Sequence, residues 1–211
     1  MLAPPSFSSS PFSFLTPDSG SLLALGASGT IPIQQLHAWH SLISANWLHG
    51  SLLHLGFNMA VLYQLVRPAS YFYGTARTIL IYTIGGVFGF WMSYLAGIPF
   101  TVGASAAVCA LIGALIYYGK NRGGIYGQAI YKQLGLWVIF ILASGFVVSG
   151  INNWAHFGGF LAGIGLGKLL GYQENHPEKA WLRKSGGFML FLTIATLIFC
   201  IYNSISIRFM L

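Results

Sequence analysis

Acidic side chains are almost missing from this chain. Of its 211 residues only three are Asp or Glu, against ten Lys and Arg, and charged residues of every kind make up 6%. A soluble domain carries roughly 25% charged residues, so this chain has too little charge to cover a water-facing surface. The shortage also excludes chemistries. An aspartyl mechanism needs two carboxylates in one site, and Asp18, Glu174 and Glu178 all lie outside the long apolar blocks. No HExxH zinc motif is present. A Ser-His-Asp triad lacks its carboxylate unless Asp18 reaches in from the N-terminal stretch. Cysteine is scarce as well. Cys109 and Cys200 both sit in apolar stretches, which suits buried thiols rather than a disulfide. The opening residues lack the basic start and apolar run of a signal peptide. Repeats, low-complexity tracts and long polar linkers are absent too, so the chain suits one compact bundle.

What is present is apolar. Hydrophobic residues make up 55% of the chain and fall in long blocks rather than short alternating runs, which points to lipid as the solvent. Six spanning segments are expected, at about 51–66, 79–97, 103–118, 133–150, 153–171 and 187–207. Open strands are excluded, because unpaired sheet edges are not tolerated in hydrocarbon. The fold class is therefore all-α, a polytopic membrane protein. Its 27 glycines would weaken soluble helices but allow membrane helices to pack closely. Residues 22–50 are broken by Gly, Pro and polar residues, and read as a loop lying partly in the interface, with Trp39 and Trp47 at headgroup level.

The net charge of +7 would suggest nucleic acid on a soluble protein. Here topology explains it better. Arg67, Arg77, Lys120, Arg122, Lys132, Lys168, Lys179, Arg183 and Lys184 fall in or beside alternate connections, and only Arg208 lies on the other side. The positive-inside rule puts those connections in the cytoplasm. Segments one, three and five then enter from the outer face.

Polar groups within membrane segments are costly and so are functional candidates. His54 and Asn58, four apart, share one face near the start of the first segment. Ser105 opens the third segment and His156 the fifth. The topology puts all four at a similar depth below the outer surface. With no carboxylate in reach, a Ser–His pair remains as the available catalyst. His54, Asn58 and the Ser105 backbone N–H are candidate donors to an oxyanion. Ser105, Cys109 and Gly113 form a small-residue stripe, and Gly159, Gly163 and Gly167 form another one turn beyond His156. Docking the stripes would bring the pair together. His37, His40 and His49 lack the spacing and acidic partners of a metal site, and no cofactor is expected.

These residues resemble the rhomboid family. NWLHGSLLHLGFNM resembles its second-helix segment, GASAAVCALIGA its GxSG nucleophile segment, and NNWAHFGGFLAG its base segment, the match covering about residues 22–171. A second GASG, at residues 26–29, lies in the loop, so Ser28 reads as a decoy. The resemblance implies a rhomboid-like bundle of about six transmembrane helices around a cavity open to the outside. It implies cleavage of transmembrane protein substrates near the outer face, without a cofactor. It gives Ser105 the role of nucleophile, His156 that of base, and His54 and Asn58 oxyanion support. Phe57 and Trp137 become gate residues by position. The plasma membrane is the expected location, with the site facing the extracytoplasmic side.

Four departures stand out. Ala106 replaces the glycine after the serine, and Cys109 replaces an aromatic that packs on the histidine. Trp39-His40-Ser41 lacks the arginine of a WxR motif. The family's first helix has too few residues before the core. The expected divisions are an N-terminal tail over 1–21, a core over 22–171, a basic cytoplasmic loop over 172–186 and an additional helix over 187–211. A catalytically silent relative that binds membrane segments is the alternative reading, kept open by Ala106 and Cys109.

Overall fold

The computed structural model describes residues 15–148, 150–173 and 178–210, with side chains described through residue 206. Glu174 and the Arg208 side chain therefore lie outside the described parts. Among the described residues the structure is helical and forms no extended strand. Three short helices come first: α1 (Ser19–Ala24), α2 (Thr30–Leu36) and α3 (Ser41–Ser44), the last running into a 3-10 turn over Ala45–Trp47. Six long helices follow: α4 (Leu52–Tyr73), α5 (Thr75–Leu95), α6 (Ser105–Arg122), α7 (Gly124–Val147), α8 (Asn153–Leu170) and α9 (Ala180–Met210).

Several helices outrun the apolar blocks that announced them. α4 continues through Pro68, α7 begins at Gly124 rather than near 133, and α9 begins at Ala180 rather than 187. A hydropathy block marks only the part of a helix in hydrocarbon. The helix itself can continue beyond that part, where polar residues are tolerated and long basic side chains can extend toward headgroups. Residues 22–50 are also more regular than expected. Asp18 caps α1 by accepting the Ser21 backbone N–H at 3.0 Å. An isolated antiparallel bridge joins Ser28 to Thr101.

By length and composition, α5, α7 and α9 are apolar enough to cross a membrane. α4, α6 and α8 fall short of that standard, and burial explains the case of α6. Every residue from Ala106 to Ile116 on α6 is buried. A helix wrapped in other helices meets protein rather than lipid, so it can carry small and polar residues.

The long helices alternate in direction. α8 runs parallel to α6 in a glycine-lined seam: an added Cβ at Gly159, Gly163 or Gly167 would meet Ala106, Ala110 and Ala114 in turn. This shifts the expected α6 stripe by one residue, from Ser105–Cys109–Gly113 to Ala106–Ala110–Ala114. Gly113 instead sits under the Phe160 carbonyl. The shift leaves Ser105 at the edge of the seam, half-buried, rather than sealed within it. α5 runs antiparallel beside both, with Gly85 against Ala110 and Gly89 against Ala106 and Ala155. α9 packs along α5 and reaches the short helices, where Cys200 lies beside Gly26 and Ser44.

The two ends of the bundle are held differently. At one end, buried Arg77 donates from Nε to the Leu170 carbonyl and from Nη1 to the Tyr73 carbonyl, both at 3.0 Å. It thereby satisfies orphan acceptors at the ends of α8 and α4. The Glu178 carboxylate accepts the N–H groups of Ala76 (2.8 Å) and Arg77 (3.2 Å), capping the start of α5. Lys120, Arg122 and Lys168 also lie in last turns at this end. The other end gathers the starts of α4, α6 and α8.

Candidate active site

Three helix starts meet at the second end. α6 begins at Ser105 itself, after the turn through Gly103 and Ala104. Gly103 has φ 132°, a conformation glycine accepts readily. It also gives room: a Cβ there would lie 2.7 Å from the His54 ring and 3.7 Å from Ser105 Oγ. Its N–H donates to the Ala45 carbonyl at 2.9 Å, tying the turn to the segment before α4.

α8 begins at Asn153, capped by Asn152, whose side-chain oxygen accepts the Ala155 N–H at 3.1 Å. His156 follows within the first turn and is 6% exposed. Its Nε2 lies 2.8 Å from Ser105 Oγ. The imidazole accepts the hydroxyl proton if its own proton sits on Nδ1. Nδ1 is buried and meets no hydrogen-bond partner among the described residues. None of the described aromatic ring pairs involves His156, in keeping with Cys109 standing where an aromatic was expected.

The two described carboxylates are elsewhere. Asp18 is committed to Ser21, whose hydroxyl bond holds it below the ordinary carboxylate range. Glu178 caps α5 at the far end. The Ser105–His156 pair thus has no described carboxylate behind it.

His54 sits in the first turn of α4, where Ser51 Oγ caps the helix by accepting its N–H at 3.1 Å. Its ring Nδ1 accepts the Gly50 N–H at 3.3 Å, so a neutral His54 carries its proton on Nε2, the nitrogen beside Gly103. His49 packs edge-on against His54 with centroids 5.2 Å apart, and its Nε2 accepts the Ala104 N–H at 3.5 Å. Burial, then repulsion from His54, lowers His49 to about 4. Asn58 lies one turn deeper and is buried, and its amide donates to the His54 carbonyl at 2.9 Å. One amide hydrogen remains for other use.

Other expected residues are dispersed. Phe57 is 63% exposed on α4, about 8 Å along the helix from its start. Trp137 lies about 15 Å from the end of α7 nearest the site and lines a cleft of about 180 Å³ with Gln64, Leu65, Pro68, Gln133 and Leu134. Phe57 is not among the residues that line this cleft. Ser28 is fully buried and accepts from Ser41 Oγ at 3.2 Å. His40 packs on Phe199. Ala106 is wholly buried, with its Cβ toward Gly89, where a second methyl would lie only 2.8 Å away. His49 and Asn152 had not been singled out as parts of the site. The helix-start position of Asn152 after a glycine-led turn was the available signal.

The fold and this site define a polytopic α-helical membrane protein with a Ser–His pair at one end of its bundle. The rhomboid domain family model matches residues 36–173. The chain belongs to the rhomboid family. It is 31% identical over 150 residues to Rhomboid protease GluP of Bacillus subtilis, covering 71% of this chain and 29% of that protein. It is 35% identical to RHOMBOID-like protein 5 of Arabidopsis thaliana, covering 74% of this chain and 52% of the relative. It is 34% identical to RHOMBOID-like protein 6, mitochondrial, of the same plant, covering 80% and 54%. The chain thus spans 29–54% of the length of these relatives.

Proposed function

We propose that this chain is an intramembrane serine endopeptidase that cleaves transmembrane protein substrates. The observation that carries the reading is the 2.8 Å separation of Ser105 Oγ and His156 Nε2. It is joined by family membership and by a relative named as a protease. In the proposed reaction Ser105 Oγ attacks the scissile carbonyl while His156 Nε2 takes its proton. His156 then returns the proton to the leaving amine, and water repeats the sequence on the acyl-enzyme.

With no described carboxylate beside His156 to stabilise the imidazolium, the oxyanion donors carry more of the catalysis. The start of α6 supplies one. Its cap residue, Ala104, has no hydrogen-bonding side chain to occupy the first-turn N–H groups, so the Ser105 N–H stays open to a substrate oxygen. His54 Nε2–H is the second donor, and Asn58 supports it through the His54 backbone. Phe57 and Trp137 flank the route by which a substrate helix reaches the site. The basic end faces the cytoplasm under the positive-inside rule, which puts the site on the extracytoplasmic side. The plasma membrane is the proposed location. On the same proposal the chain divides into a core over 22–171, a basic loop over 172–186 and an added helix over 187–211. Ala106 does not favour the silent alternative, because its methyl lies toward Gly89 rather than the Ser105–His156 gap.

The test is cleavage of a transmembrane substrate in detergent and in liposomes by the parent chain and by Ser105→Ala. The reading expects cleavage by the parent only. Equal cleavage by both would remove Ser105 as nucleophile.

A further inference from the structure

Asn152 makes more contacts than a helix cap requires. Its Oδ1 accepts the Ala155 N–H at 3.1 Å, and its main-chain oxygen accepts the His156 N–H at 3.2 Å. Those two bonds belong to α8. Its Nδ2 turns the other way and donates to Ser93 Oγ at 2.5 Å and to Thr101 Oγ1 at 3.1 Å. Both amide hydrogens and the side-chain oxygen are therefore engaged. A planar carboxamide with every group engaged cannot rotate without breaking a bond.

The partners lie where position matters. Ser93 is fully buried near the end of α5, and its carbonyl accepts the Ile98 N–H at 3.1 Å. Thr101 lies four residues before Ser105. Its backbone is pinned to Ser28 in both directions, at 2.8 and 3.0 Å. One side chain thus joins the helix that carries His156, the lead-in that carries Ser105, and the helix packed against both. His156 Nδ1 meets no partner among the described residues, so among them the placement of His156 rests on the frame of α8. We propose that Asn152 is a positioning residue for the reaction, setting the register of α8 against the Ser105 lead-in through Ser93 and Thr101. This rests on the Ser105–His156 reading.

The two roles of the side chain can be separated. Asn152→Ser keeps a hydroxyl that caps α8 but is too short to reach Ser93 and Thr101. Ser93→Ala/Thr101→Val removes the bridge and leaves the cap untouched. Asn152→Asp keeps the cap and can accept from both hydroxyls. The measurements are the rate at which a fluorophosphonate labels Ser105, the split between kcat and KM, and thermal stability in detergent. Asn152→Ser and the Ser93/Thr101 pair are each expected to slow labelling and lower kcat by about tenfold at unchanged KM, as misplacement of reacting groups does. Combining them should cost little more than either alone, because they cut the same link. Asn152→Asp should recover labelling to within about threefold of the parent on the same argument.

Labelling of a well-folded Asn152→Ser at the parent rate would overturn the proposal, as would full additivity with the Ser93/Thr101 pair. So would a loss confined to thermal stability. Absence of Ser105 labelling in the parent chain would instead sink the protease reading, so the two failures are distinguishable.

Discussion

The two ends of this bundle solve the same problem with different chemistry. Each must close several helix termini in a low-dielectric setting. The basic end does so with charge: Arg77 bonds the terminal carbonyls of α4 and α8, and Glu178 caps α5. The site end does so with neutral groups: Ser51, Asn152, His49 and His54 bond backbone amides or hold a helix start. Charge at the first end is taken up by helix termini. At the second end Ser105 and His156 are left bonded to each other rather than to a helix terminus. The contrast separates residues that hold the fold from residues that would do chemistry.

The largest effect expected is on turnover. Ser105→Ala and His156→Ala should each reduce cleavage by about a thousandfold or more, because the members of a nucleophile–base unit fail together. Their unfolding temperatures should stay close to that of the parent. Collapse of stability in either would show that the pair is structural.

The seam joining the ends comes next. Gly159→Ala would put a methyl against the Ala106 carbonyl, and about 2 kcal/mol of stability should be lost. Gly165→Ala meets nothing within 4 Å and should be neutral or slightly stabilising. Equal effects in thermal unfolding would refute the seam as drawn.

At the basic end, Glu178→Ala removes the α5 cap and should cost about 1 kcal/mol. The labelling rate of Ser105 per folded molecule should not change. A drop in that rate would mean that the two ends are coupled.

The smallest effect concerns acid. His49 is lowered to about 4 from an ordinary 6.5, so the folded chain resists a proton that the unfolded chain accepts. Stability is therefore full above about pH 6.5 and falls as the pH drops from there toward 4. His40, lowered by burial, acts in the same direction. His49→Gln should accordingly shrink, without abolishing, the fall in unfolding temperature between neutral and acidic buffer. An unchanged fall would remove His49 from the account.

Much of this contrast was legible before any coordinates. Ser105, His156, His54 and Asn58 stood out because polar residues are rare in the apolar blocks, and the Lys and Arg pattern set them at one depth. Helix ends were less legible. Gln128, Lys132 and Gln133 lower the hydropathy of early α7 without breaking its backbone, and Pro68 sits inside α4. The glycine stripe on α8 was visible, but its partner on α6 was displaced by one residue. Ser105 and Cys109 are small enough to fit the pattern, and only packing reveals that Ala106 and Ala110 face the glycines. The Asn152 link was hidden because Ser93 and Thr101 are ordinary residues, 8 apart in sequence and 51 or more from Asn152.

The central claim is that Ser105 is a nucleophile activated by His156. It is tested most directly by treating the membrane-embedded chain with a fluorophosphonate and mapping the adduct by mass spectrometry. The account predicts one adduct, on Ser105, and its loss in His156→Ala. An adduct on Ser28 instead, or labelling of Ser105 that persists undiminished without His156, would contradict it.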